Sequence, residues 1–178
     1  RAKTVFSQCV RPVFVNGAEP GDLLEVSIIE VAPQPFGFTA QVPGFGFLRD
    51  VFTEPHIIRW KIDGGHATSP DLPGVRVPGD PFMGVMGVAP SHELMETINR
   101  RERELASRGG AVLKPDRAHA IPTVEHIACN ATRTIAPHET GGNLDIKQLT
   151  AGTVLRIPVY VEGALFSAGD AHFAQGDN

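Results

Sequence analysis

Val13-Phe14-Val15-Asn16-Gly17-Ala18-Glu19-Pro20-Gly21-Asp22-Leu23-Leu24-Glu25-Val26-Ser27-Ile28 is the stretch on which the fold class turns. Val13 and Val15, then Leu24, Val26 and Ile28, recur at period two, the repeat of a strand with one face turned inward. Asn16-Gly17 and Glu19-Pro20-Gly21-Asp22 separate these runs with turn residues, so the pattern predicts two strands joined by a tight connection. Leu23 to Val31 is nearly continuous in aliphatic residues and reads as a buried strand.

The same pattern extends outward along the chain. Ile57 to Ile62 alternates and is followed by the turn Asp63-Gly64-Gly65. Residues 73–78 and 82–90 predict two more short strands, with Gly84 and Gly87 marking close backbone approach or a bulge in the second. Val154 to Val161 is a strand that Pro158 confines to an edge or a bulge, and Ala164 to Ala168 is a strand after the turn Glu162-Gly163. Asp145 to Leu149 predicts one helical turn. Residues 91–108 carry the one clear helix. Ser91 is its N-cap, Glu93 suits its first turn, and Leu94, Ile98 and Leu105 mark an apolar stripe. Glu96 and Arg100 form an i,i+4 pair, and Gly109-Gly110 ends the helix. Residues 91–130 therefore read as a helical insertion. The expected fold is mainly β, with sandwich- or barrel-like packing of short strands and one inserted helix at about 91–108.

Residues 33–50 differ in character. Prolines and glycines punctuate Phe36, Phe38, Phe45 and Phe47, which predicts an ordered loop with its phenylalanines tucked inward. Phe45 is the candidate wall of a small ligand pocket, and an internally packed loop is the structural alternative.

Composition narrows the function classes. Of 178 residues, 42% are hydrophobic and 20% charged, which fits a globular chain and excludes disorder. The 19 glycines and 15 prolines are scattered, which excludes collagen. A net charge of −4 offers no basic footprint for nucleic acid. No apolar run approaches the roughly 20 residues that span a bilayer. Cys9 and Cys129 form no CxxC pair and read as idle thiols of a reducing, cytoplasmic compartment. The chain begins at Arg1 and ends at Asn178 inside a site-like motif, the expectation for a piece of a longer protein. Asparagine can cyclise and cleave its own C-terminal peptide bond, so maturation is one account of that end.

The densest polar cluster is Gly169-Asp170-Ala171-His172-Phe173-Ala174-Gln175-Gly176-Asp177. Asp170 and His172, two apart, point the same way on an extended segment and suit joint ligation of one divalent ion. Asp177 is a further ligand or the general base that activates a water. An Asp–His hydrogen-bonded pair in a turn is the structural alternative. The second cluster is Gly141-Gly142-Asn143-Leu144-Asp145. Gly141 and Gly142 permit positive φ or close approach to a substrate, Asn143 can donate to a developing oxyanion, and Asp145 can ligate or orient. A turn followed by an N-cap would use the same residues. No GxSxG elbow, Walker loop or GxGxxG is present.

Five motifs in order resemble the acetamidase/formamidase family: Val15 to Val26, Val42-Pro43-Gly44-Phe45-Gly46, Gly84 to Pro90, Gly141 to Ile146 and Gly169 to Asp177. The resemblance covers nearly the whole chain outside residues 91–130. It implies a mostly β fold, hydrolysis of short amides such as formamide or acetamide, and assembly into homo-oligomers. It also implies a divalent metal site built partly from Asp170 and His172 with Asp145 near by; the expected ion is zinc, with calcium as the alternative. Family members carry a segment before the first motif and a further domain after the last. They continue Gln-Gly-Asp with Gly-Glu, where this chain has Asn178.

The expected function is hydrolysis of a small amide by metal-activated water. Asp170, His172 and Asp145 would hold the metal, Asp177 and Asn143 would act on the reacting atoms, and Gly141, Gly142 and Phe45 would line the substrate. The alternatives are a non-catalytic β binding or assembly module, or one subunit of a processed amidase completed by a second chain that supplies the C-terminal part.

Overall fold

Leu23–Ser27 forms strand β1, and its partner lies at the far end of the sequence. The computed structural model describes residues 11–112, 117–119, 123–128 and 131–176. Within them the chain runs β1, β2 (Phe36–Gln41), β3 (His56–Asp63), β4 (His66–Thr68), β5 (Arg76–Pro78), β6 (Phe82–Gly87), helix α1 (His92–Ser107), a short helix α2 (Glu125–Ala128), β7 (Gly141–Asn143), β8 (Val154–Pro158) and β9 (Ser167–His172). The strands form three antiparallel sheets in the orders β1-β8, β2-β3-β4-β5 and β7-β6-β9. The mainly β class with one substantial helix holds, and none of the described sheets closes into a barrel. No helix of the described residues is long and apolar enough to cross a membrane.

The core lies between the two-stranded and three-stranded sheets. One cluster joins Ala18, Val88, Ile157, Val159 and Ala164, and a second joins Ile28, Met86 and Leu149; Leu155 and Phe166 pack against both. β6 is the central strand, with Phe82 and Met86 among its buried side chains.

Several local expectations give way to long-range pairing. Val13 is not in a strand that pairs with β1. It bridges Phe166, while β1 pairs with β8, so both predicted N-terminal strands find partners in the C-terminal third. The segment from Leu23 is not wholly buried either: β1 alternates exposed and half-buried because only one face meets the core, and Ile29 beyond it lies open to solvent. Pro158 behaves as expected, since among the described residues β8 has β1 as its sole ladder partner. Ala164 and Leu165 are not in a strand but in a turn with φ near +55°, at 56° and 53°. β9 starts later and carries the Asp-x-His motif itself. Residues 145–149 make a turn, with Leu149 N–H donating to Ile146 O at 3.0 Å, rather than a helical element.

The Phe-rich segment is also corrected. β2 is a regular strand there, and Phe36 and Phe38 point outward at 68% and 70% exposure. The register places Phe38 opposite Arg59 and Ala40 opposite Ile57, so Phe36, Phe38 and Ile57 share one open face. β3 supplies a full ladder to β2, and backbone pairing outweighs the breakers at its margins.

α1 begins as its sequence predicts: Ser91 Oγ accepts from Leu94 N–H at 3.2 Å. It ends in a Schellman arrangement, with Gly110 N–H on Leu105 O and Gly109 N–H on Ala106 O, and with Gly109 at φ +77°. Arg100 pairs with Glu104 at 3.2 Å, where the sequence reading paired it with Glu96. Ile98 and Asn99 are buried, Leu105 is exposed, and so only the first half of the helix is seated in the fold. The second half is tethered by charge: Glu102 accepts from Arg133 at 3.0 Å, and Arg101 pairs with Glu139.

Candidate metal centre

The central sheet brings two distant segments together. β9 lies on one side of β6 and β7 on the other, so the end of β9 and the residues just after β7 meet over one strand. Asp170 and His172 come from β9, and Asp145 follows β7. Their ligand atoms all lie within 4.8 Å of one another. His172 Nε2 is 3.4 Å from Asp145 Oδ1 and 3.4 Å from Asp170 Oδ2. That spacing is long for a hydrogen bond, which prefers about 2.7–3.2 Å. It matches the edge of about 3.3–3.5 Å that bonds of about 2.0–2.2 Å span in a tetrahedral zinc site.

Local backbone geometry aims the two carboxylates. Asp145 has φ +48° and Asp170 φ +50°, two of only four described non-glycine residues in the left-handed region. Such residues cost about 1–3 kcal/mol each and persist where the surroundings enforce them. At Asp145 the enforcing group is Gly84 O, which accepts from both Leu144 N–H and Asp145 N–H at 2.9 and 3.0 Å. Gln175 adds a clamp, its Nε2 donating to Asp145 O at 2.9 Å. The His172 ring is held by Phe82, whose fully buried ring stacks on it with centroids 4.7 Å apart and 29° between planes.

The electrostatics favour a cation at this point. Asp145 Oδ1 is buried and makes no hydrogen bond, although the side chain as a whole is 42% exposed. Burial pushes the Asp145 carboxyl above its ordinary range, His172 pulls it down, and Asp170 adds a further upward push. A cation beside these atoms would satisfy the orphaned oxygen and relieve the repulsion between the carboxylates. Two carboxylates and an imidazole are ligands that zinc takes, and the mixed O/N set departs from the all-oxygen preference of calcium.

The other sequence-predicted residues fall around this group. Asn143 lies in β7, and its Nδ2 donates to Ile135 O at 2.9 Å. Gly141 is packed against β6: a Cβ there would lie 2.5 Å from Met86 O. Gly142 has open space where a side chain would stand. Phe45 lies in the loop that joins β2 and β3, strands of a different sheet from the one that carries the metal group. Asp177, Cys9 and Cys129 lie outside the described residues. Two residues of the site had no signal of their own in the sequence. Phe82 reads there as an ordinary core aromatic. Gln175 belongs to a conspicuous motif, but nothing local shows that it reaches back across 30 residues to Asp145.

Residues 4–178 match the model of the acetamidase/formamidase family. The chain is 38% identical over 195 residues to an acetamidase of Mycolicibacterium smegmatis, covering 93% of this chain and 47% of that protein. It is 38% identical over 188 residues to a formamidase of Methylophilus methylotrophus, covering 93% and 45%. Among solved structures, a gamma lactamase from Delftia acidovorans superposes with a TM-score of 0.81 at 34% identity, covering 93% of this chain and 45% of that one. An acetamidase from Bacillus halodurans gives a TM-score of 0.65 at 29% identity, covering 93% and 43%. The chain thus spans a little under half the length of the relatives it matches. A match that runs through all five motifs and nearly the whole chain has one meaning: the chain belongs to the acetamidase/formamidase family.

Proposed function

We propose that this chain carries the metal-holding part of an amidase that converts a short-chain amide and water into a carboxylate and ammonia. The observation that carries the proposal is the convergence of Asp145, Asp170 and His172 around a buried oxygen without a hydrogen-bond partner. Asp145, Asp170 and His172 would hold the ion, zinc by donor type. Bound there, a divalent ion polarises the amide carbonyl and lowers the pKa of water to about 7.

The chain's own residues supply the rest. Phe82 and Gln175 keep the imidazole and the Asp145 segment in place. One Asn143 N–H is committed to Ile135 O, and its other N–H is the donor that an oxyanion role calls on. Open space over Gly142 leaves room for a small substrate beside β7. Asp177, in the same motif as His172, is assigned the proton from the attacking water. The proton reaches the departing nitrogen, so that C–N cleavage releases ammonia.

The exposed Phe36, Phe38 and Ile57, which share a sheet face with Arg59 and Lys61, support a second element of the proposal, that further polypeptide completes the working enzyme as another subunit or a second chain. Mass measurement in solution by light scattering on the complete gene product separates a monomer from an assembly.

Elemental analysis of that gene product, paired with ammonia release from formamide and acetamide, tests the main proposal. One divalent ion per site and release of ammonia are expected, with both lost in His172→Ala. Full activity in His172→Ala would overturn it.

A further inference from the structure

Gly84 is the point on β6 around which the metal group closes. In the β6–β9 ladder it falls between the pairs Met83–Ala171 and Val85–Gly169, as Asp170 does on β9. On its other side, its carbonyl holds the two successive N–H groups that turn Asp145 into the left-handed region. A Cβ at residue 84 would lie 2.6 Å from His172 Nε2, 2.7 Å from Asp145 Oδ1 and 2.9 Å from His172 Cδ2. All three distances are shorter than a real Cβ contact allows. Gly87, Gly141 and Gly142, on the same pair of strands, have no ligand atom of the group among their nearest neighbours.

We infer that Gly84 is a positioning residue of the metal site, whose absent side chain reserves the space between His172 Nε2 and Asp145 Oδ1 and whose carbonyl sets the Asp145 backbone. The inference rests on the metal site proposed above. The atoms that a Cβ would strike are the ends of side chains, not backbone, so the fold can take an alanine by moving them. Moving them separates the two ligands. The imidazole is further constrained, because its ring lies against Phe82. Gly87, three residues on in the same strand, provides the contrast. A Cβ there would lie 2.7 Å from Thr140 O and 2.8 Å from Gly142 N, both backbone atoms of the neighbouring segment. The two glycines of β6 thus do different work: Gly87 admits β7, and Gly84 admits the ligands.

The experiment compares the complete gene product with its Gly84→Ala and Gly87→Ala variants, stripped of metal. Two quantities are read: the unfolding midpoint without metal, and Zn²⁺ affinity by calorimetry. Gly84→Ala is expected to unfold at a midpoint close to that of the parent while binding Zn²⁺ about 10–100-fold more weakly, the range typical for losing a group that orients a ligand. Gly87→Ala is expected to lower the midpoint. Wild-type Zn²⁺ affinity in a folded Gly84→Ala, or failure of that variant to fold, would overturn the inference and leave the metal site standing. A parent protein that binds no Zn²⁺ would overturn both.

Discussion

His172 Nε2 lies 3.4 Å from Asp145 Oδ1, although the two residues belong to segments that never pair with each other. β6 is the intermediary: it holds β9 on one edge and β7 on the other, and Gly84 leaves the gap through which the two side chains meet. A site built across a central strand is rigid at its base and open above, since His172 and both carboxylates keep partial exposure.

Asp145→Asn removes the carboxylate that burial penalises. Because burial holds its folded-state pKa above the unfolded value, the charged form costs stability at neutral pH, and this cost disappears in the amide. The metal-free variant is expected to unfold at a higher temperature than the parent. The parent should gain about 2.7 kcal/mol from Zn²⁺ at one hundred times its Kd, a gain the variant loses. Thermal unfolding with and without Zn²⁺ measures both, and a lower metal-free midpoint in Asp145→Asn would show that the protein itself stabilises the carboxylate.

Phe82 is fully buried on the central strand and stacks on the imidazole. Phe82→Ala is expected to cost about 3–5 kcal/mol, through lost transfer energy and the cavity left behind. Urea unfolding gives the value. A loss below about 1 kcal/mol would mean that the ring is not part of the packed core.

Ser91→Ala removes the hydroxyl that accepts from Leu94 N–H. The expected loss is about 1 kcal/mol, because an orphan N–H at the helix start loses its partner. Unfolding measurements on the variant test this, and Ser91→Asp, which restores an acceptor, should recover most of the loss.

Glu139, paired with Arg101 of α1, adds a small term to the acid side of the stability curve. Its hydrogen bond to Arg101 holds its carboxyl below the ordinary value of 4.5, aided by its own backbone. A depressed folded-state pKa adds stability above the unfolded value, and that stability is lost as pH falls through the folded one. The pair is solvent-exposed, so its contribution stays below about 1 kcal/mol and weakens with salt. Urea unfolding between neutral pH and the acid range should show a shallower acid decline in Glu139→Gln than in the parent. Parallel curves would remove the pair from any role in stability.

Much of this protein is legible in the order of its residues. Strand alternation at Ile57 to Ile62, the turn Asp63-Gly64-Gly65, the Ser91 cap and the Gly109-Gly110 stop are set by steric and hydrogen-bonding preferences within a few residues, so they survive in the fold as read. The Asp-x-His spacing placed Asp170 and His172 within reach of each other for the same reason. The outward Phe36 and Phe38 were misread because a Pro- and Gly-rich neighbourhood signals a loop, while a long partner strand can still recruit the residues between the breakers.

What the tertiary structure alone decided is which distant segments share an edge. Val13 and β1 could have paired with each other by their local pattern, yet both pair more than a hundred residues downstream. Asp145 reads in the sequence as part of a turn and N-cap or as a ligand, and it reaches His172 only because β7 and β9 flank β6. Gly84 and Gly87 looked alike in sequence, and only their neighbours separate them. Periodicity records which face of a strand is apolar, whereas the identity of the strand beside it depends on register and burial summed over the whole core, to which no single window of sequence has access.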